Sequence, residues 1–466
     1  MANPGIAEEP LRVAIVGAGP SAFYAADHLL KQPGLHVEVD MFDRLPTPYG
    51  LVRFGVAPDH QKIKTVTRSF AEIAANPHFR FYGCVEFGRD ITLEEIRAHY
   101  HQVLFATGAQ TDRRMGIPGE DLHGSHPATS FVAWYNGHPD YRDCQFDLSQ
   151  ERAVVVGVGN VAIDVARILC LTPDELVASD MAPHAVEALS RSRIREVHVL
   201  GRRGPAQAAF TTPEIKEFGA LSDVDVIVRP EEAALDPLSQ AFVEGANDRA
   251  LSRKIELIQG YAAGTPSGRS RRAFFRFLVS PVELLDNGGG TVAGVRIVRN
   301  VLKGSGSGSL SAEPTGEFET IAAGLVFRSV GYRGVALPGV PFHDRWGVIL
   351  NEHGRVLDPD SQTPITGEYV TGWIKRGPSG VIGTNKPDSV ETVTAMLEDA
   401  AAARTFAPAA PGVAAAETML HSQQPHYLTF EDWRQLDALE LEAGARCGRP
   451  RVKFTSVDEM LAALGR

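Results

Sequence analysis

Glycines that let a backbone approach a phosphate occur twice in one arrangement, as Gly17-Ala-Gly19-Pro-Ser21-Ala22 and as Gly157-Val-Gly159-Asn160-Val161-Ala162. Each follows an apolar run, Val13-Ala-Ile-Val16 or Val154-Val-Val156, and precedes a helical pattern. A strand that feeds G-x-G-x-x-[GA] and then a helix sets backbone amides and a positive helix end against a pyrophosphate. One copy is weak evidence. Two copies in matching context point to two dinucleotide sites.

The residues that follow each copy separate the two ligands. After the first, the strand from His36 to Phe42 ends in Asp43, where an acid takes the ribose hydroxyls of FAD or NAD. After the second, the strand Glu196-Val-His-Val-Leu200 ends in Gly201-Arg202-Arg203-Gly204, with no acid. Two guanidinium groups there match the 2′-phosphate of NADP, because a planar fork gives paired, charge-assisted hydrogen bonds to phosphate oxygens. The plainer reading of Arg202 and Arg203 is a solvated turn. The interval before this strand is long, and residues 171–194 fill it with short polar and helical segments.

At 466 residues and 44% hydrophobic, the chain can build two or three domains with full cores. No apolar run reaches membrane-spanning length. Residues 1–10 are acidic and rich in breakers, unlike a secretion or mitochondrial signal, so a bacterial cytoplasm is the expected location. Cys84, Cys144, Cys170 and Cys447 show neither C-x-x-C nor metal spacing, which argues for a reducing compartment and against a metal site. They also offer no thiol pair to relay electrons, so a flavin in this chain must hand its electrons on directly. The net charge of −11 speaks against generic nucleic-acid binding.

The elements that must position these residues can be read in outline. Residues 11–110 give strand, turn and helix, then a loop over Arg44–His60 too rich in proline and glycine to be regular. Val103-Leu-Phe-Ala-Thr107-Gly108 reads as a buried strand ending in a glycine turn. Lys303–Ser309 reads as a flexible hairpin tip. Leu325–Val330 mirrors the first closing strand, and Glu368–Trp373 enters a loop before a helix over Asp388–Ala403. Residues 407–416 read as a linker, and two helices capped by Thr429-x-x-Asp432 and Ser456-x-x-Glu459 close the chain. The expected fold is α/β, with two three-layer ββα Rossmann-like dinucleotide-binding domains. The FAD domain spans 1–111 and 334–466, and the NADP domain, 112–333, is inserted into it.

Taken nearly end to end, the sequence resembles the adrenodoxin-reductase type of NADPH–ferredoxin reductase, including its mycobacterial members. The likeness rests on Gly17–Ala26, Leu45–His60, Gly157–Arg167, Gly201–Glu214 and Val330-Gly-Tyr332. Gly372-Trp-Ile-Lys-Arg-Gly-Pro-Ser-Gly-Val-Ile-Gly-Thr-Asn-Lys386 is the most telling stretch. Related disulfide reductases carry Gly-Asp near Gly372-Trp373, so the tryptophan separates the subfamilies. The chain departs from the family's more usual glutamate at Asp43 and tryptophan at Tyr49, both mild changes.

The resemblance implies an FAD enzyme that takes a hydride from NADPH and releases single electrons to a small, acidic iron–sulfur ferredoxin. Gly17, Gly19, Ser21, Asp43, Leu51 and Val85 would hold FAD, with Trp373, Gly380, Val381 and Ile382 along its ring. Gly157, Gly159, Asn160 and Val161 would meet the NADP(H) pyrophosphate, and Arg202, Arg203 and Arg113 its 2′-phosphate. His60 and Glu214 would sit beside the nicotinamide, positioning its carboxamide rather than acting as bases. By themselves Pro58-Asp59-His60 is a turn and Thr211-x-x-Glu214 a helix capping box. Arg249, Arg253, Lys254, Arg269, Arg271, Arg272, Arg276, Lys375 and Arg376 are the cations that could steer an acidic partner. Two other readings are an NADPH dehydrogenase serving a different acceptor and a redox sensor that binds both nucleotides without turnover.

Overall fold

Alternation along buried strands dictates the architecture, because successive side chains point to opposite faces of a sheet. The computed structural model describes residues 4–304 and 310–466. It divides into one unit of Met1–Thr111 with Gly331–Arg466 and a second of Asp112–Val330.

In the first unit a seven-stranded sheet runs Asn351–Glu352, Arg355–Leu357, Pro364–Val370, Gln102–Phe105, Leu11–Val16, Val37–Asp43 and Phe79–Gly83. From Pro364–Val370 onward the neighbours are parallel. Val13, Ile15, Val39 and Met41 join a core with the helices Pro20–Leu30 and Asn385–Ala401. Ala14, Val16 and Phe42 face the other way, toward Val340, Ile349 and Val356. Strands buried on both faces are largely apolar, as βαβ sheets require, and the buried charges among them, Arg12 and Asp40, pair with each other at 2.5 Å.

The second unit repeats the plan. Its six parallel strands run Ser125–Pro127, Leu325–Arg328, Arg152–Val156, Glu196–Leu200, Arg271–Arg276 and Val224–Val228. Ala153 and Val155 pack against the helix Asn160–Cys170, while Val154 and Val156 pack against an antiparallel sheet of Val279–Asp286, Val292–Gly304 and Leu310–Ala322. Each unit is therefore a three-layer α/β sandwich with its glycine turn at the carboxyl end of a central strand, where ligands of open α/β sheets bind.

Three local readings change. The helix expected from Asp388 starts at Asn385, after a 3-10 turn Ile382–Thr384, because Pro387 is tolerated inside a first turn. The expected linker gives way at Val413 to a helix Val413–Gln423 held by buried Ala416 and Leu420. The capping box at Thr211 does not form; no side-chain cap bond closes that helix end. The caps at Thr429 and Ser456 do form. The proposed hairpin tip falls largely on residues 305–309, outside the described residues, between the paired strands Val292–Gly304 and Leu310–Ala322.

Candidate functional site

In the first unit the fingerprint turn is locked by its neighbours. Gly17 has φ +103°, and a Cβ there would lie 2.6 Å from the Ala106 carbonyl oxygen, so no larger residue fits. Nothing lies within 4 Å of a Cβ built on Gly19, which leaves the cradle open where a pyrophosphate would rest. Asp43 closes the back of the turn, accepting from the amides of Ala18 and Leu45 at 2.9 Å each. Burial raises its pKa against those two donors. Ligand hydroxyls donating to its remaining lone pairs would favour the ionised form. The Val85 amide donates to the Asp43 carbonyl at 2.9 Å, and Val85 is buried behind it.

The loop after Asp43 folds over the turn. The Tyr49 amide donates to Ala18 at 2.8 Å, and a Cβ on Gly50 would lie 3.1 Å from the Gly19 Cα. Leu51, half-buried, opens the single helical turn Leu51–Phe54. His60, also half-buried, precedes the turn Gln61–Lys64, its amide bound to the Ala57 carbonyl.

Ser21 is buried, and its carbonyl accepts from the Ser389 hydroxyl at 2.9 Å. A Cβ on Gly372 would come within 2.5 Å of the Ser21 hydroxyl. Trp373 is half-exposed with its indole nitrogen donating to the Ser379 carbonyl at 3.1 Å. Gly380 has φ +79°, Ile382 is half-buried, and Val381 is 55% exposed, an apolar surface of the kind a planar ring covers. Asp388, in the first turn of Asn385–Ala401, accepts from the Gly372 amide at 2.5 Å. Sequence reasoning passed over Asp388, although an acid in a helix's first turn is a recognisable signal.

The second unit carries the other glycine turn. Gly157 has φ +131°, its Cβ position is taken by the Ser329 carbonyl, and Gly159 again faces open space. Asn160 accepts from the Thr211 amide at 2.9 Å, and Val161 is half-buried against the core. This bond tethers the segment leading to Glu214 to the fingerprint helix. Glu214 is buried in the helix Thr212–Gly219. Arg167 is buried; that burial lowers its pKa although Glu214 and Glu217 act to raise it.

Arg202 is exposed and Arg203 half-buried just past Leu200. Among the described residues neither has a carboxylate within ion-pair distance. Burial and the neighbouring Arg202 charge pull the Arg203 pKa below its usual value. Two crowded cations without counter-charge fit a phosphate dianion. Arg113 is exposed near the start of the unit.

Several of the steering cations prove unsuited to that task. Lys254 is buried, its ammonium on the Ala208 carbonyl at 2.5 Å. Arg276 is buried between Glu232 and Glu319. Lys375 is buried on Glu391 and Asp388. Arg253, Arg271, Arg272 and Arg376 pair with Glu256, Asp223, Glu196 and Asp388. Arg249 and Arg269 are exposed, with no carboxylate at ion-pair distance among the described residues.

Residues 11–215 match the family model described as pyridine nucleotide-disulphide oxidoreductase. The NADPH-ferredoxin reductase FprA of Mycobacterium tuberculosis is 46% identical over 463 residues, covering 97% of this chain and 98% of that protein. The chain belongs to the NADPH–ferredoxin reductase family. A mitochondrial NADPH:adrenodoxin oxidoreductase of Arabidopsis thaliana is 40% identical, covering 97% of this chain and 95% of its own. A solved structure of Mycobacterium tuberculosis FprA in complex with NADPH superposes with a TM-score of 0.92 at 45% identity, covering 98% of this chain and 100% of that one. The chain is thus an oxidoreductase with FAD and NADP(H) as cofactors.

Its cysteines are all unpaired. Burial pushes the Cys84 and Cys170 thiols up to about 12, far from the reactive thiolate that disulfide exchange needs. No helix among the described residues is long and apolar enough to cross a membrane.

Proposed function

We propose that this protein oxidises NADPH and delivers the electrons singly to a small, acidic iron–sulfur ferredoxin. The observation that carries the reading is the contrast between two matching strand ends. One ends in Asp43, bound to the amides of Ala18 and Leu45; the other ends in Arg202 and Arg203 without a counter-charge. The name of the mycobacterial relative and its NADPH complex support the same coenzyme and acceptor class, and the adrenodoxin oxidoreductase name supports an iron–sulfur partner.

Gly17, Gly19, Ser21, Asp43, Leu51 and Val85 would hold FAD, with Trp373, Gly380, Val381 and Ile382 along its ring. Bound FAD would supply the exchange between a two-electron donor and a one-electron acceptor. The amino end of Asn385–Ala401 favours negative charge in its vicinity, since its first amides lack helical partners. Gly157, Gly159, Asn160 and Val161 would accept the NADP(H) pyrophosphate, and Arg202, Arg203 and Arg113 its 2′-phosphate. His60 and Glu214 are assigned to the nicotinamide carboxamide, which they would orient without taking a proton from carbon. Arg249 and Arg269 are the exposed cations left to attract an acidic partner. The unpaired cysteines suit a reducing, bacterial cytoplasm.

The test is an anaerobic titration of the purified, FAD-containing protein. NADPH should bleach the flavin absorbance rapidly and at about one equivalent, with NADH at the same concentration far slower. Equally fast bleaching by both coenzymes would defeat the assignment of Arg202 and Arg203, and no bleaching by either would defeat the reading as a whole.

A further inference from the structure

Three successive carbonyls of the arginine turn are held from one side by the antiparallel sheet of the second unit. The Gly201 carbonyl accepts from the Val279 amide at 3.0 Å and the Arg203 carbonyl from the Leu278 amide at 3.1 Å. Between them, the Arg202 carbonyl accepts from a side chain, the Nδ2 of Asn300, at 2.9 Å. Asn300 is 2% exposed and lies in Val292–Gly304, 98 residues further along the chain. Its amide donates to Leu278 at 2.7 Å, and its Nδ2 also donates to the Ser280 hydroxyl at 2.8 Å. The strand register shifts between Val298 and Asn300, which is how a bulge re-aims a side chain.

We infer that Asn300 is a specificity-determining positioning residue: by fixing the Arg202 carbonyl it sets the Arg202-Arg203 turn for an adenosine 2′-phosphate. The inference rests on the proposed role of the two arginines. Two like charges side by side repel each other, and Arg203 already has a depressed pKa from burial and from Arg202. Such a pair binds a dianion well only if its backbone is held against relaxation before the ligand arrives, since pre-organisation removes an ordering cost from binding. Leu278 contributes through a left-handed backbone, φ +56°, but its hold on Arg203 is main-chain to main-chain and survives any substitution that keeps the turn. Asn300 supplies the one side-chain bond in the set. Asn300 acts through the Arg202 carbonyl.

The experiment compares adenosine 2′,5′-bisphosphate with adenosine 5′-monophosphate by calorimetry on the FAD-loaded protein. The two probes differ only in the 2′-phosphate, so their affinity ratio isolates the arginine turn, and 5′-monophosphate binding reports an intact domain in the same sample. Asn300→Leu removes the donor at similar volume, and Asn300→Asp keeps the shape but turns an acceptor toward the carbonyl. Both should weaken the bisphosphate by about five- to thirtyfold, the range for unmaking a buried hydrogen bond, with the monophosphate unchanged. Arg202→Ala/Arg203→Ala, combined with Asn300→Leu, should show no further loss, because Asn300 acts through the turn. An unchanged ratio in both Asn300 variants, or equal weakening of both probes, would overturn the inference while the arginine assignment stands. If the double arginine variant itself leaves the ratio unchanged, the assignment falls and the inference with it.

Discussion

Arg53 and Glu440, 387 residues apart in the chain, form a two-pronged ion pair with bonds of 2.9 and 2.5 Å, both side chains buried. Burial would raise the Glu440 pKa, but Arg53 and Arg451 bring it below the usual carboxylate range. The Phe454 amide adds a bond of 2.9 Å, and the Arg53 guanidinium lies 5.0 Å from the Trp433 ring centre. The helix Phe430–Arg446 thereby grips the turn Leu51–Phe54, which follows the Tyr49-Gly50 segment lying on the first fingerprint.

Breaking this pair should loosen the FAD site. Glu440→Ala strands a buried guanidinium, at a cost of about 3–5 kcal/mol. Chemical denaturation should show that loss, and FAD should leave the variant faster on dilution than it leaves the wild type, followed by the rise in free-flavin fluorescence. Unaltered FAD release despite the lower stability would separate the clamp from the cofactor.

The two glycine turns should fail independently. Gly17→Val meets the Ala106 carbonyl at a φ of +103° and should yield protein purified without FAD. Gly157→Val, at φ +131° against Ser329, should retain FAD and lose NADPH binding. Absorbance spectra of the two purified variants, with coenzyme titrations, check both outcomes; FAD lost from the second variant alone would exchange the assignments.

Coenzyme choice should follow the arginine turn. Arg202→Ala/Arg203→Ala should remove about 2–4 kcal/mol of NADPH preference, or about one and a half to three decades in the KM ratio of the two coenzymes. Steady-state ferricyanide reduction with each coenzyme measures it. The KM for NADH should stay near the wild-type value.

Acid should weaken the second unit before its carboxylates matter. Burial lowers His126 and His198 from 6.5 to about 4. Between those values the unfolded chain binds protons that the folded one refuses, so stability falls as pH drops from 6.5 toward 4. His198 stacks on Phe274, with ring centres 4.6 Å apart, so His198→Phe preserves the packing. That variant should show a flatter dependence of Tm on pH over this window, and an unchanged slope would contradict a neutral, half-buried His198.

How much of this was legible depended on how local each signal is. The glycine turns, Asp43, Arg202 and Arg203 lie within one strand–turn–helix unit, and adjacent residues suffice to read them. Thr429 and Ser456 were equally plain, since a capping residue bonds an amide three positions on. Thr211 shows the same pattern without the side-chain bond, and its amide is instead engaged by Asn160, 51 residues earlier. Asn300 and Glu440 left no local trace, as each acts on a segment about a hundred or several hundred residues away. The cations misled for a related reason: a sequence displays Lys254, Arg276 and Lys375 as charges, and only the fold supplies the carbonyls and carboxylates that absorb them.

The proposed function has electrons pass from NADPH through this chain to a ferredoxin. The direct measurement is NADPH-dependent cytochrome c reduction by the purified protein, with and without a small acidic ferredoxin, alongside ferricyanide reduction as a measure of flavin turnover. Ferricyanide activity is expected in both cases, with a cytochrome c rate that depends on ferredoxin and saturates with it. Ferricyanide turnover with a cytochrome c rate indifferent to ferredoxin would mean another acceptor, and no turnover with either would mean a nucleotide-binding protein that does not catalyse.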